Sequence, residues 1–218
     1  MIIRTKHLTK RFGHITALDS VSIGIGEGVT LILGPNGGGK STFLNLCAGT
    51  YRPTEGVIRV FGGDPWADAN VRQRFGVSFD PPALPKHRTG REWLEFLAEI
   101  RGGSTSDIIE AFSLGGFLDR RISTYSAGMM KRLSIASAFV GEPELVLLDE
   151  PLVNLDFDAI PEIVGLLERF ASEGLSIVVV SHIWKPFLEF ADRVVVIAGG
   201  RVKHDGSVEE VASALSLI

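Results

Sequence analysis

The stretch Gly34-Pro35-Asn36-Gly37-Gly38-Gly39-Lys40-Ser41-Thr42 decides the fold of this 218-residue chain. It follows the apolar segment Val29–Leu33 and leads into Phe43–Leu46, in the order strand, glycine-rich turn and helix. In this setting the pattern G-x-x-x-x-G-K-[ST] predicts a phosphate-binding loop. The glycines let backbone N–H groups converge on a triphosphate, and the helix start adds its positive dipole end. The sequence therefore predicts a nucleoside triphosphate site.

Two side chains of this loop and two carboxylates further along carry the predicted chemistry. Lys40 is expected to neutralise the β/γ phosphates, and the Ser41 hydroxyl to complete a Mg²⁺ shell. The apolar run Leu145–Leu148 ends in Asp149 and Glu150, and a parallel strand delivers such residues to the edge where ligands bind. We predict that Asp149 holds Mg²⁺ through water and that Glu150 is the general base. The alternative is a solvated turn with two adjacent acids.

Composition limits the possible classes of protein. The net charge of −4 and a pI near 5.8 argue against a nucleic-acid protein held by a broad basic surface. The single cysteine, Cys47, is expected to be a buried thiol in a reducing cytoplasm. The N-terminus lacks the apolar segment of a signal peptide, and no apolar run reaches the ~18–20 residues that span a bilayer. Any membrane-spanning part is therefore expected on another chain.

The hydrophobic pattern predicts an α/β fold. Short strands are expected at Ile2–Ile3, Val21–Ile25 and Val57–Phe61, besides the one that precedes the phosphate loop. Later in the chain, Leu145–Leu148 and Ile177–Val180 are continuous apolar runs typical of parallel strands covered on both faces. A helix expected from about residue 160 to 172 separates them, which gives β-α-β order.

The middle of the chain is predicted to be helical. Apolar residues recur at helical spacing from Trp93 to Ile100 after Thr89, a plausible N-cap, and a second helix is expected over Asp107–Leu114. We therefore expect a nucleotide-binding core at 1–79 and 141–218, with a helical subdomain inserted at about 80–140.

A possible anion site precedes a third predicted helix. Tyr125–Met129 leads into Met130–Ala136, with Ser126 as an N-cap and Gly128 allowing close backbone approach. The helix start could meet a γ-phosphate, although an ordinary helix cap is the simpler interpretation of this stretch alone.

The order of these motifs resembles the ATP-binding cassette (ABC) ATPases over essentially the whole chain. The resemblance implies a P-loop NTPase core with a parallel sheet, an N-terminal antiparallel β subdomain and an inserted α-helical subdomain. It places Tyr125–Met129 at the family signature, usually written L-S-G-G-Q. Ser126 and Gly128 of one subunit would then close over ATP bound to the phosphate loop of another. Two composite sites in a head-to-tail dimer follow from this.

The resemblance also assigns roles to three further residues. Phe12 matches the aromatic residue that stacks on adenine, which a phenyl ring can do. Asp156, in Asn154-Leu155-Asp156, matches the loop that joins the two sites across the dimer. His182 matches the histidine that contacts the γ-phosphate. Taken alone, Phe12 would more often be a core residue, and a histidine at a strand end more often structural.

Three positions depart from the family pattern. Ala127 replaces the first signature glycine and Met129 the final glutamine, a combination similar to the Y-S-x-G-M of exporter cassettes. Asp80 stands where a glutamine usually contacts Mg²⁺ and senses the membrane partner. An aspartate has acceptor oxygens but no amide donor, and is one methylene shorter. It either reaches the metal through water or is a solvated carboxylate before two prolines.

The expected function is that of the ATPase subunit of a multi-subunit ABC transporter, of exporter type, with ATP and Mg²⁺ as cofactors. Its expected partners are a second cassette, identical or a close paralogue, and separate transmembrane permease subunits that hold it on the cytoplasmic face of the membrane. No nucleic acid partner is expected. The alternatives are a soluble, non-transport ABC ATPase acting on an assembly or scaffold, and a nucleotide-gated binding module with little catalysis.

Overall fold

Two sheets of different kind make up the β structure in the computed structural model, which describes residues 1–215. The strands are β1 Ile3–Phe12, β2 Ile15–Val21, β3 Gly24–Ile25, β4 Val29–Leu33, β5 Glu55–Val60, β6 Phe75–Ser78, β7 Leu145–Asp149, β8 Ser176–Val180, β9 Arg193–Ala198 and β10 Arg201–Gly206. Strand β1 pairs antiparallel with β2, β3 and β5 in the smaller sheet. The larger sheet has the order β10-β9-β4-β8-β7-β6, parallel except for the antiparallel edge strand β10. An α/β fold with an antiparallel N-terminal sheet is thereby confirmed.

Seven α-helices lie within the described residues. They are α1 Lys40–Cys47, α2 Ala69–Gln73, α3 Gly90–Arg101, α4 Ser106–Ala111, α5 Ala127–Ala138, α6 Ala159–Ser172 and α7 Val208–Leu215. Short 3-10 turns cover Ile122–Thr124 and Lys185–Phe187. Helices α3 to α5 occupy the segment between β6 and β7, where helices were predicted. The division into a core and a helical subdomain stays a prediction, and residues 216–218 of the predicted core lie outside the described residues.

Alternate residues of the larger sheet face two separate hydrophobic cores. In β4, Leu31 and Leu33 belong to a core that also contains Leu94 and Leu133 of the helical layer, whereas Ile32 faces the other core. The other core contains Leu44 and Phe43 of α1 together with residues of the small sheet. Both faces of the parallel strands are therefore covered, which explains their continuous apolar sequences.

The predicted strand over Val21–Ile25 is wrong in its extent. Strand β2 ends at Val21, and only Gly24–Ile25 pairs again, as β3. Between them, the Ile23 amide donates to the Thr5 hydroxyl at 2.9 Å. This side-chain bond takes the place of a ladder hydrogen bond and interrupts the strand.

Candidate functional site

The phosphate loop joins the buried strand β4 to helix α1. Gly39, directly before α1, has φ of 109°, and a Cβ there would lie 2.5 Å from the carbonyl oxygen of Ala17. Only glycine therefore fits this position without strain. The buried Lys40 donates from Nζ to the carbonyl oxygens of Gly34 at 2.8 Å and Pro35 at 3.1 Å. Its ammonium group is thus held by the loop's own acceptors, which phosphate oxygens are able to replace.

Asp149 lies at the carboxyl end of β7, directly beside the loop. Its side chain accepts a hydrogen bond from the Ser41 hydroxyl at 3.1 Å. Burial raises the pKa of Asp149 to about 6; the Ser41 hydrogen bond opposes the rise, and the charges of Glu150 and Asp80 add to it. Carboxylate and hydroxyl oxygens are the hard donors that Mg²⁺ prefers, so this pair fits the ion chemically. Within residues 1–215 no three His, Cys, Asp or Glu side chains form a metal centre of their own.

Glu150 and His182 are brought together by adjacent parallel strands. Glu150 follows β7 with φ of 47°, a conformation that costs a non-glycine residue free energy and is found at functional sites. Its Oε2 accepts from the backbone N–H of His182 at 3.1 Å and lies 2.9 Å from that residue's Nδ1. The Ser181 hydroxyl donates to the same oxygen at 3.3 Å. The carboxylate is thereby fixed at the edge of the sheet, where it can accept a proton.

One cleft of about 380 Å³ collects most of the predicted site residues. Its lining includes Asn36, Gly37, Gly38, Gly39, Lys40, Ser41, Thr42, Asp80, Glu150 and His182. Gly34 and Pro35 line an adjoining cleft of about 230 Å³, which His182 shares. A larger cleft, of about 840 Å³, lies elsewhere and is lined by Glu27, Arg74, Glu144 and others, with none of the phosphate-loop residues. The candidate site is therefore the cleft of about 380 Å³ at the phosphate loop.

Asp80 lines the cleft but is neither a free carboxylate nor fully solvated. Its Oδ1 lies 2.7 Å from Nζ of Lys131, whose side chain is 0% exposed, and Asp80 itself is 30% exposed. The sequence leaves both a metal ligand and a solvated residue open for Asp80 and indicates no lysine partner. The sequence does contain a signal that Lys131 is buried, because the apolar residues Ile135 and Ala138 follow it at helical spacing. Both are buried in the structure.

Asp149 does not line the cleft, although it accepts a hydrogen bond from Ser41 of the phosphate loop. Four other predicted residues line neither this cleft nor the adjoining one. Ser126 caps α5, its hydroxyl accepting from the Met129 amide at 3.2 Å, and a Cβ on Gly128 would lie 3.0 Å from the Asn154 carbonyl oxygen. Asp156 is exposed in the loop that follows β7. Phe12, at the end of β1, is the fourth. The described chain therefore does not bring these residues to its own phosphate loop.

Phe12 has an aromatic neighbour that the sequence did not reveal. It is 42% exposed and packs edge-on against Tyr51, with ring centroids 5.3 Å apart. Lys10 Nζ lies over both rings, at 4.9 Å and 5.5 Å from the centroids of Phe12 and Tyr51. We call Phe12 and Tyr51 the aromatic platform. Tyr51 follows α1, 39 positions from Phe12, so the sequence does not show that the two rings are in contact.

No helix within residues 1–215 has the length and apolar character that a membrane crossing requires.

The fold and the phosphate loop define this protein as a P-loop ATPase. A sequence model of the ABC transporter family matches residues 18–153. The chain is 33% identical over 222 residues to the daunorubicin/doxorubicin resistance ATP-binding protein DrrA of Streptomyces peucetius, covering 98% of this chain and 67% of DrrA. It is 32% identical over 217 residues to the bacitracin transport ATP-binding protein BcrA of Enterococcus faecalis, covering 96% and 70%.

Other similar proteins extend the comparison. The sulfate/thiosulfate import ATP-binding protein CysA of Mycobacterium tuberculosis is 34% identical over 215 residues, covering 94% of this chain and 61% of CysA. A solved ATP binding subunit of an ABC transporter has a TM-score of 0.89 at 26% identity, covering 100% and 94% of the two chains. A bacterial ABC transporter cassette solved as a dimer has a TM-score of 0.83 at 26% identity, covering 95% and 99%.

The chain therefore belongs to the ABC transporter family. It is an ATP-binding subunit that hydrolyses ATP to power transport.

Proposed function

We propose that this chain works as one of two cassettes on a separate transmembrane permease, at the cytoplasmic face of the membrane, and that it drives export. The observation that carries the catalytic part of the proposal is the Glu150 carboxylate, which His182 and Ser181 hold in the lining of the phosphate-loop cleft. The second cassette is an identical copy or a close paralogue. With a net charge of −4, nucleic acid is not among the proposed partners.

Binding of ATP uses the phosphate loop and the aromatic platform. Backbone N–H groups from Asn36 to Thr42 and the Lys40 ammonium donate to the phosphates, and Phe12 stacks on adenine. Ser41, Asp149 and Asp80 supply oxygen donors for Mg²⁺ and its waters. When bound, the ion offsets the charge of the β- and γ-phosphates.

Hydrolysis requires a base on the far side of the γ-phosphate. Glu150 orients the attacking water and accepts its proton, which is general base catalysis. His182 Nδ1 lies 2.9 Å from the Glu150 carboxylate, which leaves the other ring nitrogen to contact the γ-phosphate. Lys40 stabilises the charge on the phosphate oxygens.

The second cassette completes each site. Ser126 and Gly128 at the start of α5, and Asp156 in the loop after β7, do not line their own chain's cleft. In a head-to-tail pair they face the ATP on the other subunit, where the helix start and the Ser126 hydroxyl contact the γ-phosphate. A similar bacterial ABC transporter cassette solved as a dimer supports the pairing of two cassettes.

Export is favoured by the signature and by two relatives. The signature Tyr125-Ser126-Ala127-Gly128-Met129 resembles that of exporter cassettes. One relative is named for drug resistance and another for bacitracin transport, although an import protein is about equally identical. The transported substrate is selected by the permease.

The catalytic assignment is tested by Glu150→Gln in the purified chain. The variant keeps the size of the side chain but accepts no proton, so it should bind Mg²⁺·ATP with unchanged affinity and lose at least about 100-fold in turnover. The control is Glu168→Gln, on the exposed side of α6, which should hydrolyse ATP at the wild-type rate. Parent-rate hydrolysis by Glu150→Gln would remove Glu150 as the base.

The partner assignment is tested by capture of the tagged chain from detergent-solubilised native membranes, followed by mass spectrometry. A stoichiometric multi-span protein is expected. Recovery of soluble partners alone, with ATPase activity intact, would instead establish the soluble ABC ATPase alternative.

A further inference from the structure

A fully buried lysine lies between the helical layer and the nucleotide cleft. Lys131, in α5, is 0% exposed. Its Nζ donates to Asp80 Oδ1 at 2.7 Å and, more weakly, to the Asp149 backbone carbonyl at 3.4 Å. The neighbouring Arg132, by contrast, reaches outward and pairs with Glu162 at 2.8 Å. Lys131 thus contacts both chain segments that deliver carboxylates to the cleft.

The burial of Lys131 makes its partner obligatory. An ammonium group removed from water loses its hydration, and only a close carboxylate with good geometry compensates for this loss. Asp80 is that carboxylate, and it reaches the cleft from the loop that follows β6. A neutral residue at position 80 would leave a buried charge without compensation.

The local charge balance gives Lys131 a second effect. Three carboxylates, those of Asp80, Asp149 and Glu150, follow or end strands β6 and β7 at this edge of the sheet. The Lys131 ammonium lies among these segments, 2.7 Å from Asp80 Oδ1 and 3.4 Å from the Asp149 carbonyl oxygen. A buried cation therefore lets an extra carboxylate lie in a site that already contains two.

Two further polar contacts hold α5 in place, one to strand β6 and the other to helix α3. Ser134, one turn beyond Lys131, has its hydroxyl 2.9 Å from that of Ser78 in β6. Ser137 accepts from the Trp93 indole N–H, also at 2.9 Å. Positions 131, 134 and 137 lie on one face of the helix. We call these three contacts the polar seam of α5.

We propose that Lys131 is a positioning residue of the nucleotide site, which holds the Asp80 carboxylate at the cleft so that the two residues can be replaced only together. This proposal rests on the proposed function, because it takes the cleft to be the place where Mg²⁺·ATP is hydrolysed. Asp80 keeps its second oxygen for the ion or its waters, while Lys131 determines where that oxygen lies.

The first test is a double-mutant cycle on the nucleotide-free, Mg²⁺-free protein, with Asp80→Asn, Lys131→Met and the double variant. Denaturant unfolding gives the folding equilibrium constant of each. Asp80→Asn should lower that constant by about 100-fold or more, since an unpaired buried charge is left behind. The double variant should recover to within about 10-fold of the wild type. Additive losses in the double variant would overturn the proposal.

The second test separates positioning from mere stability. Lys131→Met should raise the Mg²⁺ concentration for half-maximal ATP hydrolysis several-fold, because Asp80 is retained but no longer held. The matched control is Ser134→Ala, which removes the next contact of the polar seam and should lose stability without shifting the Mg²⁺ requirement. An equal Mg²⁺ requirement in both variants would overturn the positioning role.

Variants that do not fold still give a decision. If neither single variant folds and the double variant does, the coupling is shown in its strongest form; if the double variant also fails to fold, the proposal is wrong. Wild-type protein without ATPase activity would contradict the proposed function, while the unfolding cycle would still report on the ion pair.

Discussion

Asp149 has a higher pKa than an ordinary aspartate because the fold buries its carboxyl group beside the phosphate loop. It is 1% exposed, and burial raises its pKa to about 6. The unfolded chain has an aspartate pKa of ~3.9, so between these values the folded state binds more protons than the unfolded state. Stability due to this residue therefore falls as the pH rises from about 4 to about 6. At neutral pH the ionised Asp149 therefore lowers the stability of the nucleotide-free protein, and a bound cation would offset this loss.

Asp149→Asn should make this cost measurable. The amide does not ionise, so relative to the variant the wild type should lose roughly 2–3 kcal/mol of unfolding free energy between pH 4 and pH 7. Denaturant unfolding without nucleotide or Mg²⁺, at several pH values, provides the measurement. A constant difference across this range would mean that Asp149 titrates normally in the folded protein.

Phe12 should contribute to ATP affinity through its ring alone. Stacking of a base on an aromatic side chain contributes ~1–3 kcal/mol by alanine substitution, so Phe12→Ala should weaken ATP binding by about 5-fold or more. Phe12→Tyr keeps the ring and should bind like the wild type. Titration calorimetry with ATP provides the measurement, and unchanged affinity of Phe12→Ala would place adenine elsewhere.

Some residues of the candidate site belong to contiguous sequence motifs, whereas others are recognised only through contacts between distant segments. Lys40, Ser41 and Glu150 stand in contiguous motifs next to a strand, so their convergence was predictable from the parallel sheet. The partner of Asp80 is 51 positions away on another element, and no local pattern joins the two. Pairing of a buried charge depends on the packed structure, which is why the sequence left Asp80 open.

Helix α3 is the element whose start was most predictable. The Thr89 hydroxyl accepts from the Glu92 amide at 3.1 Å, and the Glu92 carboxylate accepts from the Thr89 amide at 2.8 Å. This capping box satisfies two N–H groups that the helix leaves unpaired. The pattern of a cap residue followed by apolar residues at helical spacing is local, so sequence alone predicted it.

Thr89→Ala should lower the unfolding free energy by about 1 kcal/mol, as removal of an N-cap oxygen does. Thr89→Ser retains that oxygen and should cost clearly less. Denaturant unfolding of the three proteins gives the comparison. Equal stability of the alanine and serine variants would show that the cap contributes nothing to α3.

Short strands were the elements that the sequence predicted least well. Strand β6 has four residues, one of them Gly76, and β3 has two, so neither contains enough alternation to be recognised. Strand β10 is exposed along most of its length and, among the strands of residues 1–215, pairs with β9 alone. All three form because a neighbouring strand offers hydrogen bonds, and this is a tertiary effect that composition does not reveal.

At the scale of the whole molecule, the larger sheet separates two cores and places the nucleotide cleft at its edge. The carboxyl ends of β4, β7 and β8 supply the phosphate loop, Asp149 and His182 respectively. The sequence predicted this convergence because apolar strands alternate with a helix. It did not predict that β10 forms an antiparallel edge strand of the sheet. Nor did it predict that the long strand β1 pairs with three other strands.

The position of β6 at one end of the larger sheet has a consequence for local opening. Strand β4 is flanked by β8 and β9, whereas β6 pairs with β7 on one side. Gly76 lets α5 pack against β6 so closely that a Cβ would lie 1.6 Å from the Ala138 carbonyl oxygen. Backbone amides of β6 should therefore exchange with deuterium sooner than those of β4, and do so together with α5. In that case the phosphate loop follows β4, a strand that opens late, whereas Asp80 follows β6, a strand that opens early.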